Sequence, residues 1–189
     1  MGKISKQLLQ GINNEVRNKL KLKQWQSTDD VLKWFDKIEN KQSKSFLQMD
    51  IVEFYPSISK ELLNEALEWA STITTIPEQT KEIIIHSRKS LLFSRQAGTE
   101  EPVTWQKKNG LFDVTMGAPD GAEICELVGL FLLQKINEKF PQLDFGLYRD
   151  DGLATHDKIG GRNMEKIRQG LHKLFNKYDL KITIEAPNA

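Results

Sequence analysis

The sequence predicts an α+β fold, in which one antiparallel sheet carries helices packed on one face. Three observations carry that prediction. Short apolar runs that read as strands, at 45–52, 145–154 and 180–185, are separated by longer stretches with apolar residues at helical spacing. The run at 145–154 is interrupted by an Asp-Asp-Gly turn, which folds it back on itself as an antiparallel hairpin. A glycine- and proline-rich loop, Met116 to Ala122, opens directly into a strongly apolar helix.

Bulk properties bound the reading further. A chain of 189 residues with 39% hydrophobic and 28% charged residues forms one domain's worth of soluble core. The net charge of +1 hides an asymmetry: residues 1–45 hold ten Lys/Arg against five Asp/Glu, and the remainder holds seventeen against twenty-one. A basic N-terminal part suits a polyanion and equally suits a solvated helix face. The single cysteine, Cys125, excludes a disulfide within the chain and fits a reducing compartment. There is no apolar core of signal-peptide type and no run of transmembrane length, so an intracellular location (cytoplasm or nucleus) and no membrane partner are expected. His86, His156 and His172 are scattered, without metal-ligand spacing.

In chain order, Ile4, Leu8, Ile12, Val16 and Leu20 form an i, i+4 stripe that predicts an amphipathic helix over 4–22, with Lys3, Lys6, Arg17, Lys19 and Lys21 on its other face. Ser27 to Asp30 reads as an N-cap region for a short helix over 31–38, and Trp25, Trp34 and Phe35 are expected to pin these helices to the body. Residues 45–52 read as a buried strand ending near Asp50. A carboxylate inside such a run needs a reason, because burying it unpaired is costly. Residues 53–57 break the strand, Ser57 or Ser59 caps a helix over 60–71, and a further helix covers 77–93. Residues 94–110 read as a loop or short hairpin and 111–115 as a brief strand. After the glycine loop, the helix over 123–139 is apolar through Ile124, Leu127, Val128, Phe131, Leu132 and Ile136, and Pro141 ends it. The hairpin, a Gly160-Gly161 turn, a helix over 163–177 and a closing strand at 180–185 complete the order. This topology places Asp50 and the Asp150-Asp151 pair at the ends of adjacent central strands.

Two neighbouring carboxylates at a hairpin tip repel each other, and a divalent cation with a preference for hard oxygen ligands resolves the conflict. An ordinary surface turn is the competing reading of that stretch taken alone. Three carboxylates on two adjacent strands have the composition of a two-metal site, where ions roughly 3.5–4 Å apart clamp an in-line phosphoryl displacement. In such chemistry the protein supplies chiefly position and charge.

The motifs resemble those of reverse transcriptases. Asp50-Ile51-Val52-Glu53-Phe54-Tyr55-Pro56-Ser57-Ile58 resembles motif A, Met116-Gly117-Ala118-Pro119 at the head of a long helix resembles motif B, and Tyr148-Arg149-Asp150-Asp151 resembles motif C, the Tyr-x-Asp-Asp box. The Met-Gly-x-Pro form is similar to that of Penelope-like and related animal retroelement polymerases. The resemblance covers roughly residues 4–185 and implies a polymerase palm with an RRM- or ferredoxin-like core and partial fingers. It implies a basic helical segment over 1–44 and a palm over 45–189, with no thumb.

It also implies roles. Asp50, Asp150 and Asp151 are the catalytic residues and, with the Ile51 carbonyl, hold two Mg²⁺ ions, with Mn²⁺ as the alternative. Glu53, Phe54, Tyr55, Met116 and Gly117 fall at the nucleotide; Tyr55, five residues after Asp50, takes the slot of the aromatic steric gate, and Phe54 reads as packing. Tyr148 and Arg149 fall near the primer and template. The implied partners are an RNA template, a DNA primer, dNTPs, and fingers and thumb regions or a larger polyprotein. The implied reaction is RNA-directed DNA synthesis on a primer 3′-hydroxyl, with the isolated chain weakly active. Lys177 and Lys181 are candidates for the general acid of motif D. Two departures stand out. Met116 occupies a slot that is Gln in many members, unless Pro119-Asp120-Gly121 is the matching register, and the basic triphosphate grip upstream of motif A is not found. The alternatives are an RNA-directed RNA polymerase palm, disfavoured by Tyr55, and a truncated palm acting as a non-catalytic nucleic-acid-binding module.

Overall fold

Strand β1 (Lys44–Val52) is the axis of the structure. The computed structural model describes residues 1–89, 92–94, 103–105, 112, 114–157 and 160–185. In it, β1 lies inside a four-stranded antiparallel sheet of order β4-β5-β1-β6, with β4 Asp144–Tyr148, β5 Asp151–Asp157 and β6 Lys181–Glu185. Helices interrupt the strands in the order β-α-β-β-α-β, the split ferredoxin-like arrangement that the sequence predicts.

Alternation along the strands makes the sheet two-faced. Leu47, Met49 and Ile51 of β1 and Ile182 and Ile184 of β6 are buried. Gln48, Lys181, Thr183 and Glu185 point the other way and are exposed. The apolar face is covered by α4 (Lys60–Ser71), α6 (Gly121–Lys139) and α7 (Gly161–Asn176), which contribute Leu63, Leu67, Leu127, Phe131, Leu171 and Phe175 to one continuous core. Each such side chain contributes about 1.5–3 kcal/mol on burial, so the helix layer holds the sheet rigid from one side and leaves the other open.

Helix α1 (Gly2–Leu20) adds Leu9, Ile12 and Val16 to the same core. Several of its cations are answered by carboxylates: Arg17 pairs with Glu126 at 3.0 Å, Lys6 with Glu123 at 3.4 Å and Lys19 with Glu15 at 3.6 Å. The chain then runs along the outer edge of β4, where the Trp25 amide donates to the Leu147 carbonyl at 2.9 Å. Helix α2 (Thr28–Asp36) opens with a capping box between Ser27 and Asp30. Trp25 and Trp34 are buried against each other, and Phe35, though 41% exposed, packs its ring 5.7 Å from that of Phe46 on β1 and lies under the Lys41 ammonium, so it too ties these helices to the body.

A one-turn helix, α3 (Phe54–Ser57), follows β1, and the Ser59 hydroxyl caps α4 by accepting from the Leu62 amide at 3.0 Å. The helix predicted over 77–93 is shorter, α5 (Glu78–His86). It stops because Ser87 and Arg88 turn inward to Asp120 and Lys89 bridges to Phe112. Two short strands beyond it, β2 (Leu92–Ser94) and β3 (Val103–Trp105), pair antiparallel. The remainder of the loop expected at 94–110 lies outside the described residues. So do Leu111 and Asp113 of the strand expected at 111–115, where Phe112 makes only the isolated bridge and Val114 and Thr115 are not in a strand. Among the described residues no helix is long and apolar enough to cross a membrane.

Candidate active site

The register of β1 against β5 sets Asp50 directly opposite Asp151. The Ile51 amide donates to the Asp150 carbonyl at 3.0 Å, which makes 51 and 150 a hydrogen-bonded pair. Asp50 and Asp151 are therefore the adjacent non-hydrogen-bonded pair, the closer kind, and their side chains stand on the same open face. Tyr148 of β4 lies opposite Asp151 on its other side, and Thr183 of β6 lies opposite Asp50. The row across the open face is thus Tyr148, Asp151, Asp50, Thr183. Asp150 sits beside this row in the two-residue turn between β4 and β5.

Like charges directly opposed on a sheet cost stability. The cost is visible at Asp151, whose carboxyl is held above the ordinary carboxylate range, first by partial loss of water and then by the charges of Asp150 and Asp50. As the side chains stand, no three His, Cys, Asp or Glu among the described residues converge tightly enough to hold a metal ion. The donor chemistry nevertheless fits a hard divalent cation: two facing carboxylates and a third in the turn, coupled by mutual repulsion. Magnesium keeps several waters and needs only one or two direct carboxylates.

The turn itself is strained. Arg149 takes a positive φ of 54° in the first loop position, where glycine is the usual occupant, and its guanidinium lies 5.4 Å from the centroid of the Tyr148 ring. Glu53 is also left-handed, at φ 48°, and this kink starts α3. The kink sends Phe54 into the core and leaves Tyr55 half-buried near the hairpin tip, where the charges of Arg149 and Asp150 act on its hydroxyl. Phe54, 2% exposed, packs in the core.

The two ends of the loop before α6 differ in exposure. Met116 is 76% exposed and Gly117 has φ 93°, a conformation side chains rarely adopt, so this end of the loop is open to a ligand. Asp120 is fully buried. It accepts from the Ser87 hydroxyl at 2.9 Å and is ion-paired to Arg88, itself 3% exposed. Its side chain is committed to the fold. Of the two lysines considered, Lys181 lies on the open face opposite Val52, next but one to the residue facing Asp50, whereas Lys177 ends α7 against the Tyr178 ring.

Three residues of the site neighbourhood escaped the sequence reading. Arg88 carried a signal, a cation at helical spacing with Ile84 and Leu91. Cys125, buried one turn along α6 from the Gly121 position that the Tyr55 ring approaches, carried none beyond its apolar context. Thr183 needed the strand register.

No family model matches the chain, and no curated protein matches it in sequence. Solved structures do match in fold. The apo telomerase of Candida tropicalis aligns with a TM-score of 0.76 at 12% identity, over 100% of this chain and 37% of the telomerase. The C. tropicalis telomerase in complex with a TWJ fragment of telomeric RNA gives 0.70 at 13% identity, over 98% of this chain and 33% of that one. The RNA-dependent RNA polymerase of bacteriophage phi12 gives 0.56 at 13% identity, over 91% and 29%. The chain therefore shares the α+β fold of these polymerases and spans about a third of their length.

Proposed function

We propose that this chain is the catalytic palm of an RNA-directed DNA polymerase of the Penelope-like retroelement kind. The observation that carries the reading is the register that sets Asp50 against Asp151 on the open sheet face, with Asp150 in the adjoining turn. The fold shared with telomerase and a viral RNA polymerase supports it. On this reading residues 45–189 are the palm and 1–44 part of the fingers, and elements outside this chain complete the fingers and thumb.

Asp50, Asp150, Asp151 and the Ile51 carbonyl would hold two Mg²⁺ ions, which supply activation of the primer 3′-hydroxyl and charge neutralisation at the leaving pyrophosphate. The chain's own residues do the positioning. The helix-backed sheet fixes the carboxylates, and the exposed Met116–Gly117 end of the loop lets backbone approach the incoming nucleotide. Tyr55 stands where a ribose 2′-hydroxyl would collide with its ring, which selects dNTPs. Tyr148 and Arg149 lie at the primer–template side of the same row, Arg149 toward a phosphate. Lys181, on the open face, is placed to donate a proton to the pyrophosphate.

The test is primer extension on an RNA template by the full-length protein with Mg²⁺ and dNTPs. Asp50→Asn and Asp150→Asn should each abolish extension, and undiminished extension by either variant would refute the assignment. A second reading, an RNA-directed RNA polymerase, is favoured by the phi12 likeness; equal use of rNTPs and dNTPs by the wild-type protein would select it.

A further inference from the structure

We propose that Arg88 is a positioning residue for the incoming nucleotide: through its buried ion pair with Asp120 it fixes the Met116–Gly117 tip of the loop that opens α6. The proposal rests on the polymerase reading above. Arg88 itself stands on a fixed footing. It follows the last turn of α5, where the Ser87 and Arg88 amides donate to the Ile83 and Ile85 carbonyls at 3.0 and 3.1 Å. Ile84 of the same turn is fully buried, and Lys89 bridges to Phe112. The Arg88 guanidinium is ion-paired to the Asp120 carboxylate, to which the Ser87 hydroxyl also donates at 2.9 Å. Both partners are closed off from water.

Asp120 begins α6. An aspartate in that place ordinarily turns its carboxylate onto the helix's own first amides. Here it makes no such cap and reaches across to the end of α5 instead. Stability alone does not require such a pair, since apolar side chains of similar volume often hold a core as well or better. What the pair adds is direction, because a guanidinium and a carboxylate meet in few orientations. The loop passes that direction on. Val114, 1% exposed, roots one end of it and Asp120 the other. Between them the Ala118 amide donates to the Thr115 carbonyl at 3.0 Å and the Gly121 amide to the Ala118 carbonyl at 3.1 Å. A β-carbon on Gly121 would stand 2.8 Å from the Thr115 carbonyl oxygen, so the loop is folded tightly back on the first turn of α6. A shift of Asp120 therefore carries the exposed tip with it. The Tyr55 ring stands against the same turn, its Cε1 atom 3.7 Å from that β-carbon position. Because α3 follows directly from the Asp50 end of β1, the foot of the loop lies at the end of the sheet that carries the carboxylates.

In the full-length protein, Arg88→Ala should raise KM for dNTP by about 3- to 30-fold, the range over which residues acting through another element alter affinity, and change kcat less. Loss of folded protein alone lowers the amount of active enzyme, hence the apparent kcat, and leaves KM where it was. Because Arg88→Ala also loses stability, Arg88→Met with Asp120→Leu is the companion variant. It is packed but undirected, so it should recover much of the stability and keep the raised KM. A readout independent of activity is amide hydrogen exchange over residues 115–121, followed by mass spectrometry. Exchange there should be faster in the companion variant than in the wild type, while exchange over residues 127–133 of α6 stays at the wild-type rate. Raised KM together with faster exchange confined to the loop supports the proposal. If the wild-type protein extends no primer, the polymerase reading fails and this proposal with it. If it extends but both variants keep the wild-type KM, or exchange over 115–121 is unchanged in the companion variant, the proposal alone is overturned.

Discussion

Breaking the Arg88–Asp120 pair should damage the fold far more than removing a surface charge. Arg88 is 3% and Asp120 0% exposed, and among the described residues the only other side chain on the Asp120 carboxylate is the Ser87 hydroxyl. Arg88→Ala strands a buried carboxylate on that one hydroxyl, and Asp120→Asn strands a buried guanidinium. Removing one partner of such a pair costs about 3–5 kcal/mol, a large part of the roughly 5–15 kcal/mol that holds a typical domain folded. With a urea m-value of about 2 kcal/mol per molar, each single variant should lower the unfolding midpoint by about 1.5–2.5 M. The effects should not add, because each variant removes the same pair. Arg88→Met with Asp120→Leu, which replaces the charges by apolar groups of similar size, should recover much of the loss. The assay is equilibrium urea denaturation followed by circular dichroism on the wild type, the two single variants, their combination and the apolar double variant. A midpoint shift below about 0.5 M for both single variants is the surface-pair value of about 1 kcal/mol or less, and would refute the claim that water is excluded from this pair.

Further expectations follow from the site and its supports. Because the Asp151 carboxyl is raised in the folded state, the folded chain holds its proton to higher pH than the unfolded chain does; stability should therefore fall as pH rises from the ordinary carboxylate value to the raised one, and stay lowered above it. Asp151→Asn should flatten that dependence in metal-free urea titrations, and parallel pH profiles for the two proteins would contradict it. At neutral pH, Mg²⁺ should raise the thermal midpoint of the wild type more than that of Asp151→Asn, measured by calorimetry. Tyr55→Ala should raise rNTP use relative to dNTP by about 10- to 100-fold in steady-state incorporation. Phe54→Ala, one residue away but buried, should instead cost about 3–5 kcal/mol of stability and leave the sugar preference alone.

Much of this molecule was legible in the chain. The strand ending at Asp50, the Asp150–Asp151 hairpin and the buried helix α6 follow from periodicity and turn chemistry, which act over a few residues. The α+β layer follows from how such elements must pack, and the motifs, through the resemblance they carry, implied the ferredoxin-like order and the candidate residues. Local pattern misled at the end of α5. There the helical spacing of Ile84, Arg88 and Leu91 continued past the point where Arg88 leaves the helix for Asp120.

By itself, then, the sequence determined the elements and the presence of three carboxylates, because backbone propensity and hydrophobic spacing are local. Only the tertiary structure decided which atoms meet. Strand register made Asp50 and Asp151 direct neighbours and put Lys181, not Lys177, on their face. Packing of α6 turned Asp120 into a buried ion pair and gave Tyr55 its seat on Gly121. A one-residue slip of β5 or β6 would have sent Asp151 or Lys181 to the opposite face of the sheet, and the burial of one whole face specifies against that slip.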